Sequence, residues 1–202
     1  MKKFSLLFLV LFSVTARAEL PSVDSLLAES QTIEWKEAVS ESITVNAPVS
    51  ELWKYASDST KAVDWSIYFD HISPLAGPAP DGQVGSLRRC FRNKNEQGEF
   101  WDEVITQIAP EKLRQITTYN FGNDPLRFVH KDEYVFVRQI YRAIDDKTSE
   151  LKFETMYRPE SNFIFKLIFK MSRKETTEIF KLNLENIKAA IEGKPRPHAW
   201  RE

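Results

Sequence analysis

From residue 84 to residue 157 the chain reads as one β-strand after another, all but one of the connections short turns, and a single long helical segment follows. Val84–Asn93 and Phe100–Ile108 flank the polar turn Asn93–Gly98, where Gly98 is free to take a positive φ. Ala109-Pro110-Glu111 leads into Leu113–Asn120. After a longer loop, Phe121–Asp132, come Glu133–Ile144 and Ser149–Tyr157, joined by Asp145-Asp146-Lys147-Thr148 and stopped by Pro159. Alternation separates Phe100, Val104 and Ile108 from Trp101 and Ile105, and Tyr134, Phe136 and Ile140 from Val135, Val137 and Tyr141. Strands joined by short turns pair antiparallel, and such a sheet has one face to bury. The long element available to cover it is Asn162–Glu192, on which Phe169, Thr176, Phe180, Leu184, Ile187 and Ile191 fall within a stripe of roughly 80°. Gly193, Pro195 and Pro197 end that helix, and Ser172-Arg173-Lys174-Glu175 fits a capping box that would break or kink it.

Upstream, Ile33–Asn46 alternates as a half-buried strand, Pro48 opens a helix carrying Val49, Leu52, Trp53 and Ala56, and a second short helical stretch covers Thr60–Trp65. Phe69–Leu75 adds another strand before the turn cluster Gly77–Gly82. The whole is a two-layer α+β domain: an antiparallel sheet of about six to seven strands, two short helices after the first strand, and a closing helix.

The first 18 residues have a different character. Lys2 and Lys3 precede the apolar run Phe4–Val14, and Ala16-Arg17-Ala18 is a small-x-small cleavage site. This is a secretory signal pattern, and the run is short of the ~20 residues a bilayer span requires. The expected organisation is a signal peptide over 1–18, an N-terminal extension over 19–32 with one loosely held helical turn, a domain over 33–193 and a tail over 194–202. Cleavage leaves a periplasmic or secreted protein. Losing Lys2, Lys3 and Arg17 but no acid takes the formal net charge from −1 to −4, which argues against nucleic acid as a partner. The lone Cys90 excludes an internal disulfide and a Cys-based zinc cage, and its place in a strand makes it core packing. His71, His130 and His198 lie at no ligand spacing, so no metal is expected. No nucleophile elbow or phosphate-cradling loop occurs, and no cofactor is expected.

Several segments together resemble the SRPBCC superfamily, which includes START lipid-transfer domains, polyketide cyclases/dehydrases and the birch pollen allergen type. They are the strand and helix Ile43-Thr44-Val45-Asn46-Ala47-Pro48-Val49-Ser50-Glu51-Leu52-Trp53, the stretch Asp58–Trp65, Val84-Gly85-Ser86-Leu87-Arg88, Gly98 with Glu103-Val104-Ile105, Leu113, and the closing helix Glu175–Glu192. The resemblance covers about residues 41–193. It implies a helix-grip fold with an internal cavity for an apolar or amphipathic small molecule. The export signal departs from many relatives.

Within that frame Arg88 and Arg92 share a strand face with Cys90 between them, Glu103 lies on the partner strand, and Arg138 and Arg142 share a face of another. Facing inward, an Arg–Glu pair gives a cavity a polar end for a carboxylate or phosphate head group; facing outward, the same residues form solvated cross-strand pairs. Arg173 and Thr177 flank the helix stripe, either beside the cavity or reaching water. Trp53, Trp65, Trp101, Tyr119, Phe136 and Tyr141 are core or pocket aromatics. Of these, Trp101, Tyr119 and Tyr141 join Arg88, Glu103, Arg173 and Thr177 as candidate ligand contacts. Phe163–Met171 is apolar on several sides, so it either packs beneath the Phe121–Asp132 loop or serves as a gate or lipid-touching edge with transient membrane contact. Three functions fit: an exported binder of a hydrophobic or amphipathic small molecule such as a lipid; a cyclase/dehydrase-like enzyme using Glu103 as acid/base with Arg88 beside it; and an interaction domain with a filled core. The missing catalytic constellation points to binding. Oligomeric state is left open.

Overall fold

The computed structural model describes residues 22–32, 34, 36–122, 134–161 and 163–199; the signal segment and His130 lie outside them. The elements are α1 (Val23–Thr32), β1 (Lys36–Val45), α2 (Val49–Ala56), a 3₁₀ turn (Ser59–Lys61), α3 (Ala62–Trp65), β2 (His71–Ala76), β3 (Leu87–Phe91), β4 (Phe100–Ala109), β5 (Leu113–Gly122), β6 (Val135–Ala143), β7 (Ser149–Tyr157), α4 (Phe163–Met171) and α5 (Arg173–Ile191). The strands form one seven-stranded antiparallel sheet in the order β1-β7-β6-β5-β4-β3-β2. This is the expected helix-grip α+β architecture. No helix among the described residues is long and apolar enough to cross a membrane.

The face of the sheet turned to α2, α3 and α5 is its inner face. Val45, Leu151, Phe153 and Tyr141 on that face pack with Leu52, Ala56 and Trp65 and with Leu184 and Ile187 of the predicted helix stripe. Phe180 completes the contact edge-on to Phe153, with ring centroids 5.6 Å apart. Two buried asparagines of α5 dock the loops: Asn183 Oδ1 accepts the Ile67 N–H (2.8 Å), and Asn186 Nδ2 donates to the Trp65 carbonyl (2.9 Å). Each satisfies a backbone group that burial would otherwise strand.

Three expectations are corrected. The N-terminal lead is a ten-residue helix, and Leu26 is buried on Val104 and Tyr119 of the outer face, so that face is partly covered rather than solvated throughout. The helical segment does break at Ser172, but no capping box forms: Ser172 Oγ donates back to the Phe169 carbonyl (3.1 Å). In the β3–β4 turn Glu96, not Gly98, takes the positive φ (59°); a Cβ at Gly98 would meet the end of the Asn93 side chain at 2.5 Å. Beyond these, residues 194–199 of the tail pack back on the domain: Asn186 exchanges two hydrogen bonds of 3.0 Å with His198, and Arg196 donates to the Ser66 carbonyl (2.6 Å).

Glu192, one residue past α5, accepts from Lys188 (2.6 Å), Lys194 (2.7 Å) and the Asn46 N–H (3.1 Å), tying the helix end to the β1–α2 junction. Those bonds, from Lys188 first, hold its carboxyl down to about 2 from an ordinary 4.5. A carboxylate with a depressed folded value stabilises fully above its unfolded value and loses that contribution as pH falls through the folded one. Glu192→Gln is therefore expected to cost about 1 kcal/mol at neutral pH. Urea denaturation of both proteins should show the difference shrinking steadily between about pH 4.5 and pH 2.

Candidate functional site

Strand register assembles the site. Arg88 stands opposite Glu103, Glu103 opposite Thr118, and Arg114 opposite Gln139. Alternation then places Arg88, Cys90, Glu103, Ile105, Arg114, Ile116, Gln139 and Tyr141 on one face. It is the inner face, because Ser59, in the 3₁₀ turn of the helical layer, meets both guanidinium groups. Arg88 Nη1 donates to Ser59 Oγ, and Arg114 Nη2 donates to the same oxygen at 3.4 Å. Arg88 Nη2 pairs with Glu103 Oε1, and Asp81 Oδ2 lies 3.8 Å from Nη1. Tyr141 donates its hydroxyl to Gln139 Oε1 (3.0 Å), and its ring is edge-on to Trp53 at 4.8 Å.

These charges are out of water: Arg88 is 2%, Glu103 8% and Arg114 3% exposed. Burial works against the Arg88 charge, but Glu103 more than offsets it and the guanidinium stays above its ordinary value. At Arg114 burial, and then repulsion from Arg88, outweigh the pull of Tyr141, Glu103 and Asp81 and bring it down to about 10. Among the described residues no carboxylate lies within ion-pair distance of Arg114, and the Nε of both arginines has no hydrogen-bond partner. Burial also raises the Tyr141 hydroxyl and the Cys90 thiol, so neither is a nucleophile at neutral pH.

The structure thus brings Arg88, Glu103 and Tyr141 of the sequence candidates to one inner cluster. Trp101 is on the same face nearer the β3–β4 turn, half-buried against Tyr68 (5.5 Å) and Phe69 (5.8 Å). Arg92 lies 4.2 Å over the Tyr68 ring and beside an open polar groove of about 400 Å³ lined by Asn93, Gln97, Gly98 and Glu99. Tyr119 faces the other way, against Leu26 and Val104. Arg173 is exposed at the first residue of α5, and Thr177 is half-buried one turn on; neither is joined to the inner cluster by a hydrogen bond. Arg138 and Arg142 are on the outer face, donating to Gln115 (2.8 Å) and Glu150 (3.1 Å). No group of three or more metal-ligating side chains occurs among the described residues.

In α4 Phe165 is buried, while Phe163 (77% exposed), Ile164, Leu167 and Met171 (76%) form one open stripe. The loop expected to cover it lies, from residue 123, outside the described residues. Sequence reasoning missed Arg114, Ser59, Asp81 and Gln139. Arg114 was reachable from alternation with Ile116; Ser59 and Asp81 come from loops whose placement only the assembled fold supplies.

No protein-family model matches the chain, and no curated protein matches it by sequence. Solved structures match its fold. Norcoclaurine synthase from Thalictrum flavum, in complex with dopamine and hydroxybenzaldehyde, is 15% identical, with a TM-score of 0.55 over 83% of this chain and 92% of that one. A START superfamily protein from Mycobacterium smegmatis is 13% identical (TM-score 0.55, 78% and 99% covered), and Ara h 8.0201 is 13% identical (TM-score 0.56, 80% and 100%). The fold is that of SRPBCC proteins.

Leaving Arg88 buried without Glu103 is costly, whereas replacing both by apolar groups is not. Glu103→Leu should lose about 3–5 kcal/mol in urea denaturation. The double variant Arg88→Met/Glu103→Leu should recover most of that loss.

Proposed function

We propose that this chain, with its helix-grip fold, is an exported binding protein that holds an amphipathic small molecule between the inner sheet face and α5. One observation carries the reading. Two guanidinium groups are buried on that face, among Ile105, Ile116, Cys90 and Tyr141, with polar hydrogens left unmet. Most buried side-chain polar groups of a folded protein find a partner. An interior that leaves them bare awaits a polar atom from a guest, and the apolar surroundings suit the rest of that guest. Binding is favoured over acid/base catalysis because the Glu103 carboxylate is already held by Arg88. The open α4 stripe, flanked by Lys166 and Lys170, is the element that touches a lipid surface during loading. Export follows from the signal pattern, with maturation at Glu19.

Native mass spectrometry of the full-length chain purified from an exporting bacterial host tests both parts. The expected result is a protein mass that begins at Glu19, with a co-purified small apolar molecule or saturable uptake of added dodecanol. A protein that carries nothing and takes up no dodecanol or dodecanoate contradicts the binding reading.

A further inference from the structure

Arg114 is the one arginine of the inner cluster with no carboxylate at ion-pair distance among the described residues. Arg88 takes both carboxylates in reach, Glu103 directly and Asp81 at 3.8 Å. Arg114 is buried as deeply, yet its single hydrogen bond is the long one to Ser59 Oγ, which Arg88 also occupies. Its Nε points at no acceptor. A buried guanidinium that touches no carboxylate is an expensive feature, and ordinarily it is either absent or answered. Here burial and the neighbouring Arg88 already press on its proton.

The free donors also define what answers it. An arginine presents parallel N–H bonds in a fixed plane, and a carboxylate accepts two of them side by side. Arg88 and Arg114 already face Glu103 and Asp81, so a fitting guest adds no more than one negative charge. A phosphate monoester would bring nearly two, beside the Glu103 and Asp81 carboxylates that are already present. Depth sets where that charge sits in the molecule. Arg88 and Arg114 lie toward the end of the inner face capped by α2 and the 3₁₀ turn. Arg92, at the other end of β3, is four residues from Arg88, or about 13 Å along the strand. The acid group therefore enters first and an apolar tail trails toward the Trp101 end.

We infer that the guest is a monocarboxylic acid with an apolar tail, and that Arg114 is the residue that receives its carboxylate. This rests on the carrier reading above, and the test separates the two. Dodecanoate, its methyl ester and dodecanol are titrated into the full chain, and into Arg114→Gln and Arg114→Met, by calorimetry or by displacement of a fluorescent apolar probe. The acid should bind the native chain about 10- to 100-fold more tightly than the ester or the alcohol. Both variants should lose that preference and keep native-like affinity for the alcohol, which also shows that they are folded. Equal affinity for all three in the native chain, or an acid preference that survives in both variants, overturns the inference while leaving the carrier reading standing. Failure of all three to bind removes the carrier reading and this inference with it.

Discussion

Arg88 and Glu103 face one another across β3 and β4, and both are taken out of water. Register leaves them no alternative. A one-residue slip would send the pair outward and turn Leu87 and Val104, which α1 now helps to cover, into the helical layer. The pair is not a cheap source of stability, because removing two charges from water costs about what their attraction returns. It brings a requirement: the helical layer must supply polar atoms above it. Ser59 and Asp81 are those atoms, and the short segments between β1 and β3 are placed so as to deliver them.

The next rung of the same two strands shows what a finished arrangement looks like. Arg89 and Asp102, on the outer face, form a fork with both contacts short, 2.6 Å from Nε and 2.9 Å from Nη2, and the guanidinium lies 4.0 Å over the Phe100 ring. Nothing is left over, and part of the group still meets water. One residue away, on the inner face, Arg88 has a bare Nε, and Arg114 has a bare Nε and no carboxylate at all. The contrast lies within one sheet, between groups of identical chemistry. The inner pair of arginines is incomplete where the outer Arg89–Asp102 fork is complete.

Much of the fold was legible from alternation and turn chemistry. Val45, Leu151, Phe153, Leu184 and Ile187 meet as the strand and helix periods require. The site was half legible. Pattern alone puts Arg88 and Glu103 on a common face but does not say which way that face turns, since arginine and glutamate ordinarily point to water. Arg138 and Arg142, also four apart on a strand, do turn outward. What distinguishes the two sets is the layer above them. Tyr119 illustrates the same limit: Asp102 across from it shares its outward face, and only the docking of Leu26 explains why an aromatic is buried there. Arg114 escaped attention because Leu113–Asn120 reads as an ordinary strand. Ser59 belongs to a turn, whose long-range partners no local pattern encodes.

Binding at the inner cluster requires guanidinium groups that are shielded from water and open to a guest. Heteronuclear NMR of the arginine Nε–Hε groups reads this directly. Two slowly exchanging Hε signals, assigned to Arg88 and Arg114, are expected in the free protein. On adding dodecanoate both should shift and show cross-relaxation to its methylene protons. Signals that exchange as fast as those of exposed Arg142, or that stay unmoved at saturating dodecanoate, would contradict it.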